Sequence, residues 1–251
     1  MIAVLRIADR QIEIDLDQPL DISIPMQSGP ENPNAWYVGH PEFKPVVLDD
    51  WVGSVQDGAA VNFTSMQIIP HAQGTHTETL GHITAEPANV NRAFHRYFYR
   101  ASLISIKPET KGGDQIIDLH LIQDHLKDPD VEALVIRTLP NDSTKRTRQY
   151  SHTNWPYLTR AAAAYLCRKG IQHLLIDTPS VDREEDGGKL EAHRAFWDMD
   201  GIPREHATIT EFIYADESIT DDHYVLEMQL ANIEADAVPS RPVLYRIKSI
   251  S

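Results

Sequence analysis

The sequence predicts an α/β fold, a mixed sheet core carrying helices on its surface. Three observations predict it. Residues 101–106 (Ala-Ser-Leu-Ile-Ser-Ile) and 133–138 (Ala-Leu-Val-Ile-Arg-Thr) are apolar runs of strand length. Between residues 154 and 177 a helical pattern runs straight into a buried-strand pattern. Both ends of the chain read as strands. The length of 251 residues suits one domain spanning 1–251 with a sizeable core.

In chain order, residues 3–14 alternate loosely, with Val4, Leu5, Ile7, Ile12 and Ile14 apolar, and read as one or two strands. Residues 21–26 suggest a short extended piece. Residues 27–45 hold four prolines together with Gly29 and Gly39 and read as a long loop. Loops of that length in compact domains often serve function. Its Trp36, Tyr37 and Phe43 either cover a pocket or pack on the core. Residues 61–70 read as a strand entering a histidine-rich segment, and residues 117–126 as a helix. Thr153 or Asn154 then caps a helix with Pro156 in its first turn. Tyr157, Ala161, Ala164, Tyr165 and Leu166 share one face of it, and Lys169-Gly170 stops it. Residues 171–176 follow as a buried strand ending at Asp177. Residues 191–198 form a second short helix. Residues 224–233 and 243–247 form two strands joined by a turn around Ala235-Asp236.

Hydrophobic residues make up 41% and charged residues 24%, the composition of a soluble globular protein. No apolar run approaches the length that crosses a bilayer, and the N-terminus is charged too early for a signal peptide, so a cytoplasmic location is expected. Cys167 is the single cysteine, which rules out an internal disulfide and a cysteine-based metal site. Any metal must be held by nitrogen and oxygen. The net charge of −14 argues against nucleic acid and anionic membranes as partners and fits a soluble enzyme whose local carboxylates attract a cation; a small-molecule substrate is the expected partner.

The chemistry concentrates in residues 71–82, His-Ala-Gln-Gly-Thr-His-Thr-Glu-Thr-Leu-Gly-His. His76 and Glu78 are two residues apart, so on an extended chain they share a face and can share a cation. His71 and His82 flank them, with Gly74 and Gly81 permitting bends. Three histidines and a glutamate without cysteine suit zinc or manganese at a hydrolytic site. Surface or hydrogen-bonded core histidines would produce the same string.

Residues 74–82 resemble the His-x-Gly-Thr-His-x-Asp-x-Pro-x-His motif of the cyclase family, which includes bacterial kynurenine formamidases and isatin hydrolases. Residues 177–182 (Asp-Thr-Pro-Ser-Val-Asp) are similar to a second family signature. Ala192-His193-Arg194, Ile209-Thr210-Glu211 and Pro239-Ser-Arg241-Pro-Val resemble three more, in family order. The resemblance implies His76, Glu78, His193 and Glu211 as metal ligands and His82 as general acid/base, with a fourth metal ligand as the alternative role for His82. It also implies a swivelling β/β/α fold, one or two divalent ions per chain (Zn2+ first, Mn2+ second) and a homodimer or homotetramer. The implied reaction is hydrolysis of an amide-like C–N bond, as in an arylformamidase. Alternatives are another cyclic or acyl substrate (a lactam, lactone or hydroxy acid) or a non-catalytic ligand-binding protein.

Four positions depart from the family. Its first histidine falls where this chain has Ala72; His71 is one residue earlier and ligates only if the loop bulges. Glu78 replaces aspartate, Leu80 replaces proline, and Phe212 follows Glu211 in place of asparagine. Asp177 and Asp182 are expected to shape a turn and to hydrogen-bond around the ligands rather than bind metal. The polar stretch 141–152, with Lys145, Arg146 and Arg148, is either a solvated loop or a cover that meets an anionic substrate. The remaining eight histidines have no evident partner.

Overall fold

The computed structural model describes residues 1–7, 10–86, 88–128 and 130–250. Seven strands close on themselves: β1 (His76–Glu78), β2 (Phe98–Ile106), β3 (Ala133–Thr138), β4 (His173–Ile176), β5 (Thr208–Glu211), β6 (Asp222–Leu230) and β7 (Ala237–Ile250). Around the ring the order is β7-β6-β2-β3-β4-β5-β1, and β1 pairs again with β7. Strands β2, β3, β4 and β5 run parallel; the other pairings are antiparallel. The sheet is therefore mixed and barrel-like, in an α/β chain with few and short helices.

Alternation along the strands builds two cores, one on each side of the barrel wall. Ala133, Val135 and Leu175 join Tyr99, Leu103, Tyr224 and Leu226 inside the ring. Leu134, Ile136, Leu174, Ile176 and Ile209 face outward, against the helices Leu119–His125, Arg160–Arg168 and Glu191–Phe196. The chain's first strands, Ile2–Ile7 and Arg10–Asp15, form an antiparallel hairpin that extends the sheet beside β7.

Several expectations shift. The 21–26 piece is a strand only at Leu20–Asp21, pairing with β7. The expected strand at 61–70 is restricted to Thr64–Gln67, which pairs with Glu42–Pro45 in a small exposed sheet outside the barrel. Pro70 then opens a helical turn, Pro70–Gln73, in place of continued strand. The helix expected from Asn154 starts at Arg160, because Thr159 Oγ1 accepts the Ala162 N–H at 3.3 Å and is the true cap. Asn154 is instead left-handed, with φ of 49°. Consequently Ala162, Ala163 and Leu166 form the buried face of that helix. Lys145 is no surface cover: it is buried, and its Nζ donates to Asp177 Oδ2 at 2.7 Å and to the Thr138 carbonyl at 2.6 Å. Among the described residues no helix is long and apolar enough to cross a membrane.

Candidate metal centre

The site lies on the outer face of the barrel, where β1 runs antiparallel to β5. Register places Glu211 opposite His76, and Ile209, which faces the helices, opposite Glu78. Cross-strand partners share a face, so His76, Glu78 and Glu211 all project toward the helix layer. The helix Glu191–Phe196 brings His193 to the same point from outside. Asp182 fixes that helix: Oδ1 accepts the Ala192 N–H at 2.7 Å and Oδ2 the His193 N–H at 3.1 Å. These are two of the amides that a helix start leaves without partners. Oδ2 also binds the His193 ring at Nδ1, 2.6 Å away, which leaves Nε2 directed at Glu78 Oε1 at 2.9 Å.

Glu78 is the hub. It is fully buried, and its second oxygen lies 3.0 Å from His71 Nδ1 and 3.9 Å from both His76 Nε2 and His82 Nε2. The longer side chain that replaces aspartate thus reaches histidines on two sides. His71 enters because the helical turn Pro70–Gln73 absorbs the extra residue; Ala72 is buried and its carbonyl accepts the Ala35 N–H at 2.9 Å. His76 Nδ1 is turned to the Gly74 carbonyl at 3.0 Å. Its Nε2 is buried with no hydrogen-bond partner among the described residues, 3.5 Å from Glu211 Oε2. Gly74 has φ of +150°, and a Cβ there would meet Met26 Cε at 3.3 Å. Phe212, at the family's asparagine position, is buried with its ring centroid 6.2 Å from that of His76.

Ligand atoms of His71, His76 and Glu78 lie within 4.8 Å of one another, and so do those of Glu78, His82 and His193. His71, His82 and Asp236 form a third such group. Glu211 lies outside these groups but beside them, with Oε2 3.5 Å from His76 Nε2 and Oε1 3.7 Å from His193 Nε2, so the six site residues singled out in the sequence come to one place. Asp236 was missed, since it reads only as a turn residue before β7. Its Oδ2 lies 2.9 Å from His71 Nε2 and 3.7 Å from His82 Nδ1. Only a contact between residues 165 positions apart reveals it.

Charge follows from this packing. Burial opposes the Glu78 carboxylate, but His82, His193 and His71 outweigh it and hold Glu78 well below the usual carboxylate range. Burial and the neighbouring Glu78 charge push Glu211 up. Burial works against a charged His193, yet Glu78, Asp182 and Glu211 carry it well above its ordinary value. Burial likewise opposes charge on His71, which Glu78 and Asp236 raise to about 9. Burial lowers His82. Buried carboxylates thus favour the charged form of His71 and His193, and His76 Nε2 faces Glu78 and Glu211 without a hydrogen bond among the described residues, so nitrogen and oxygen donors converge where a cation could be held. The residues present fit a divalent metal.

A cavity of about 320 Å³ opens onto His71, His82, His193 and Glu211, walled by Trp36, Val38, Ile69, Ala72 and Leu190. Of the loop aromatics, Trp36 lines it and Phe43 sits in the outlying sheet. Asp177 accepts the Thr138 N–H at 2.9 Å and a hydrogen bond from the Lys145 ammonium at 2.7 Å. Arg148 pairs with Asp142 and covers Tyr150, and Arg146 covers Tyr214.

A closed mixed barrel with a histidine–carboxylate centre on its outer wall defines the class. The chain belongs to the cyclase family, whose model, described as "Putative cyclase", matches residues 14–183. It is similar to a kynurenine formamidase of Bacillus mycoides (strain KBAB4), 26% identical over 236 residues, covering 93% of this chain and 97% of the relative. Among solved structures, it superposes on an isatin hydrolase bound to the product analogue thioisatinate with a TM-score of 0.69 at 17% identity, covering 92% and 93% of the two chains. A structure described as a predicted metal-dependent hydrolase from Bacillus stearothermophilus gives a TM-score of 0.63 at 16% identity, covering 91% and 98%.

Proposed function

We propose that this chain is a metal-dependent hydrolase of an amide-like C–N bond, arylformamidase-like in substrate, built as one swivelling β/β/α domain over residues 1–251. The observation that carries the reading is His76 Nε2, fully buried, without a hydrogen bond among the described residues, beside Glu78 and Glu211. An unpaired buried nitrogen is costly, and coordination removes the cost. The ligands assigned are His71, His76, Glu78, His193 and Glu211, a donor set that suits Zn2+ first and Mn2+ second, at one or two ions per chain. Bound there, the ion supplies Lewis acidity toward a carbonyl and toward water.

The chain's own groups do the rest. His82 stands at the cavity, neutral near pH 7 because burial lowers it, and takes and returns the proton. Asp182 fixes the ring orientation of His193, and Asp236 that of His71. Trp36, Val38, Ile69 and Leu190 seat the apolar part of a small substrate and exclude water. The names of the kynurenine formamidase and isatin hydrolase relatives support C–N hydrolysis as the reaction.

A homodimer or homotetramer is proposed, supported by the outlying arm, where Val47, Leu48, Val61, Phe63 and Met66 are each more than half exposed. The assigned location is the cytoplasm, with no nucleic-acid or membrane partner. The test is metal content of protein purified without chelator, together with formate release from N-formyl-L-kynurenine before and after chelation. The reading expects near-stoichiometric metal and turnover that chelation abolishes. Less than about 0.3 ion per chain with no turnover would leave a non-catalytic ligand-binding protein. Turnover of a lactone or lactam in place of the formamide would keep the hydrolase and change its substrate.

A further inference from the structure

We propose that Glu184 is a positioning residue whose carboxylate clasps two distant loops and so sets the wall of the metal-centre cavity that carries Trp36. Glu184 follows the Asp182 turn, borders the same cavity as Trp36 and is buried to 9% exposure, its carboxylate oxygens taken up by the two loops. Its Oε1 accepts from Tyr37 Oη at 2.8 Å and from the His152 N–H. Its Oε2 accepts the Asn154 N–H at 2.7 Å. One carboxylate thus ties residues separated by up to 147 positions.

The backbone it holds is strained. Trp36, Tyr37, His152 and Asn154 are all left-handed, with φ of 60°, 59°, 67° and 49°. Non-glycine residues rarely adopt that conformation, and such conformations persist where surrounding contacts over-determine them. Two amides of left-handed residues aimed at one carboxylate make an anion nest filled from within the chain. The loops are also tied to each other: the Tyr37 N–H donates to Ser151 Oγ at 2.9 Å, and the Tyr150 N–H to the Asn34 carbonyl at 2.7 Å.

What the clasp positions is Trp36. Its ring meets Trp155 edge-on at 4.9 Å and 87°, and it lines the cavity beside His71, His82 and His193. Ala35, one residue earlier, donates to Ala72 in the turn that carries His71. The wall is pinned at its inner end by that bond and at its outer end by Glu184. Losing the carboxylate strands two amides and frees a segment held against its own preference. Placement of the non-reacting part of the substrate then suffers, while the reacting centre keeps its ligands.

The kinetic arm rests on the hydrolase reading; the exchange arm does not. Metal-loaded full-length wild type, Glu184→Ala, Glu184→Gln and Tyr37→Phe are compared by hydrogen–deuterium exchange and by turnover of N-formyl-L-kynurenine. In Glu184→Ala, exchange over residues 34–38 and 150–155 rises at least about tenfold while strand β3 is unchanged. KM rises about tenfold with kcat within about twofold, at unchanged metal content. Glu184→Gln and Tyr37→Phe move the same quantities less, and they carry the test if the alanine variant does not fold. Unchanged exchange in both loops overturns the clasp. So does a fall in kcat at constant KM, or a Tyr37→Phe variant identical to wild type, which would mean that the carboxylate acts on substrate directly. If the wild type leaves the probe intact, the hydrolase reading falls, and the exchange result alone supports or overturns the clasp.

Discussion

His173 and His193 are equally buried, at 1% exposure each, and meet opposite faces of one barrel wall. His173 points inward from β4, with Nδ1 2.8 Å from Thr208 Oγ1 and its ring stacked on Phe94 at 4.9 Å. Burial, with Arg96 and Arg204 nearby, pushes it down to about 3. His193 meets the outer face, between Asp182 and Glu78, and is driven well above its ordinary value. Strand β5 serves both environments: Thr208 lies in the inner one and Glu211 in the outer one. Burial alone therefore says nothing about a histidine's charge. A carboxylate within hydrogen-bond reach decides it, and alternation along one strand keeps the two environments apart.

The largest effect comes from removing the carboxylate that makes the outer face different. Glu78→Ala abolishes metal retention and turnover, measured as ions per chain and formate released; a variant that keeps its metal would show that Glu78 is not the hub. Next is His82→Ala, which lowers kcat by about 10²–10⁴-fold at unchanged metal content. Loss of the metal along with kcat would instead make His82 a ligand. Smaller again is Asp182→Asn, which leaves the ligands in place but loosens the His193 ring and weakens metal affinity by about 10–100-fold in a competition titration.

The smallest effect sharpens the inner half of the comparison. His173 has a folded pKa of about 3 against an ordinary 6.5, so between those values the unfolded chain binds the extra proton. Stability is then complete above about pH 6.5 and falls as pH drops, by at most about 1.4 kcal/mol per unit. His173→Gln keeps a partner for Thr208 but cannot titrate. Urea unfolding at pH 7 and pH 5 should show the variant losing about 2 kcal/mol less than wild type on acidification. Equal losses would place the acid sensitivity elsewhere.

Short apolar runs marked out strands β2, β3 and β4, because strands buried on both faces of the barrel wall are apolar almost throughout, and the strands β6 and β7 and the helix Glu191–Phe196 were legible too. The pairing of His76 with Glu78 was equally legible, since side chains two apart on a strand share a face whatever surrounds them. Closure of the ring through β1 and β7 was not legible, because it depends on which edges meet rather than on any residue type. The same holds for His71 reaching Glu78 through a turn of helix, for Asp236 joining it across 165 positions, and for Glu184 filling a nest made by left-handed backbone. Sequence determines which groups can ligate, donate or pack. Which of them share a cavity, and which protons they therefore hold, is decided only when distant segments come within a few ångströms, because electrostatic and coordination energies fall off over that distance.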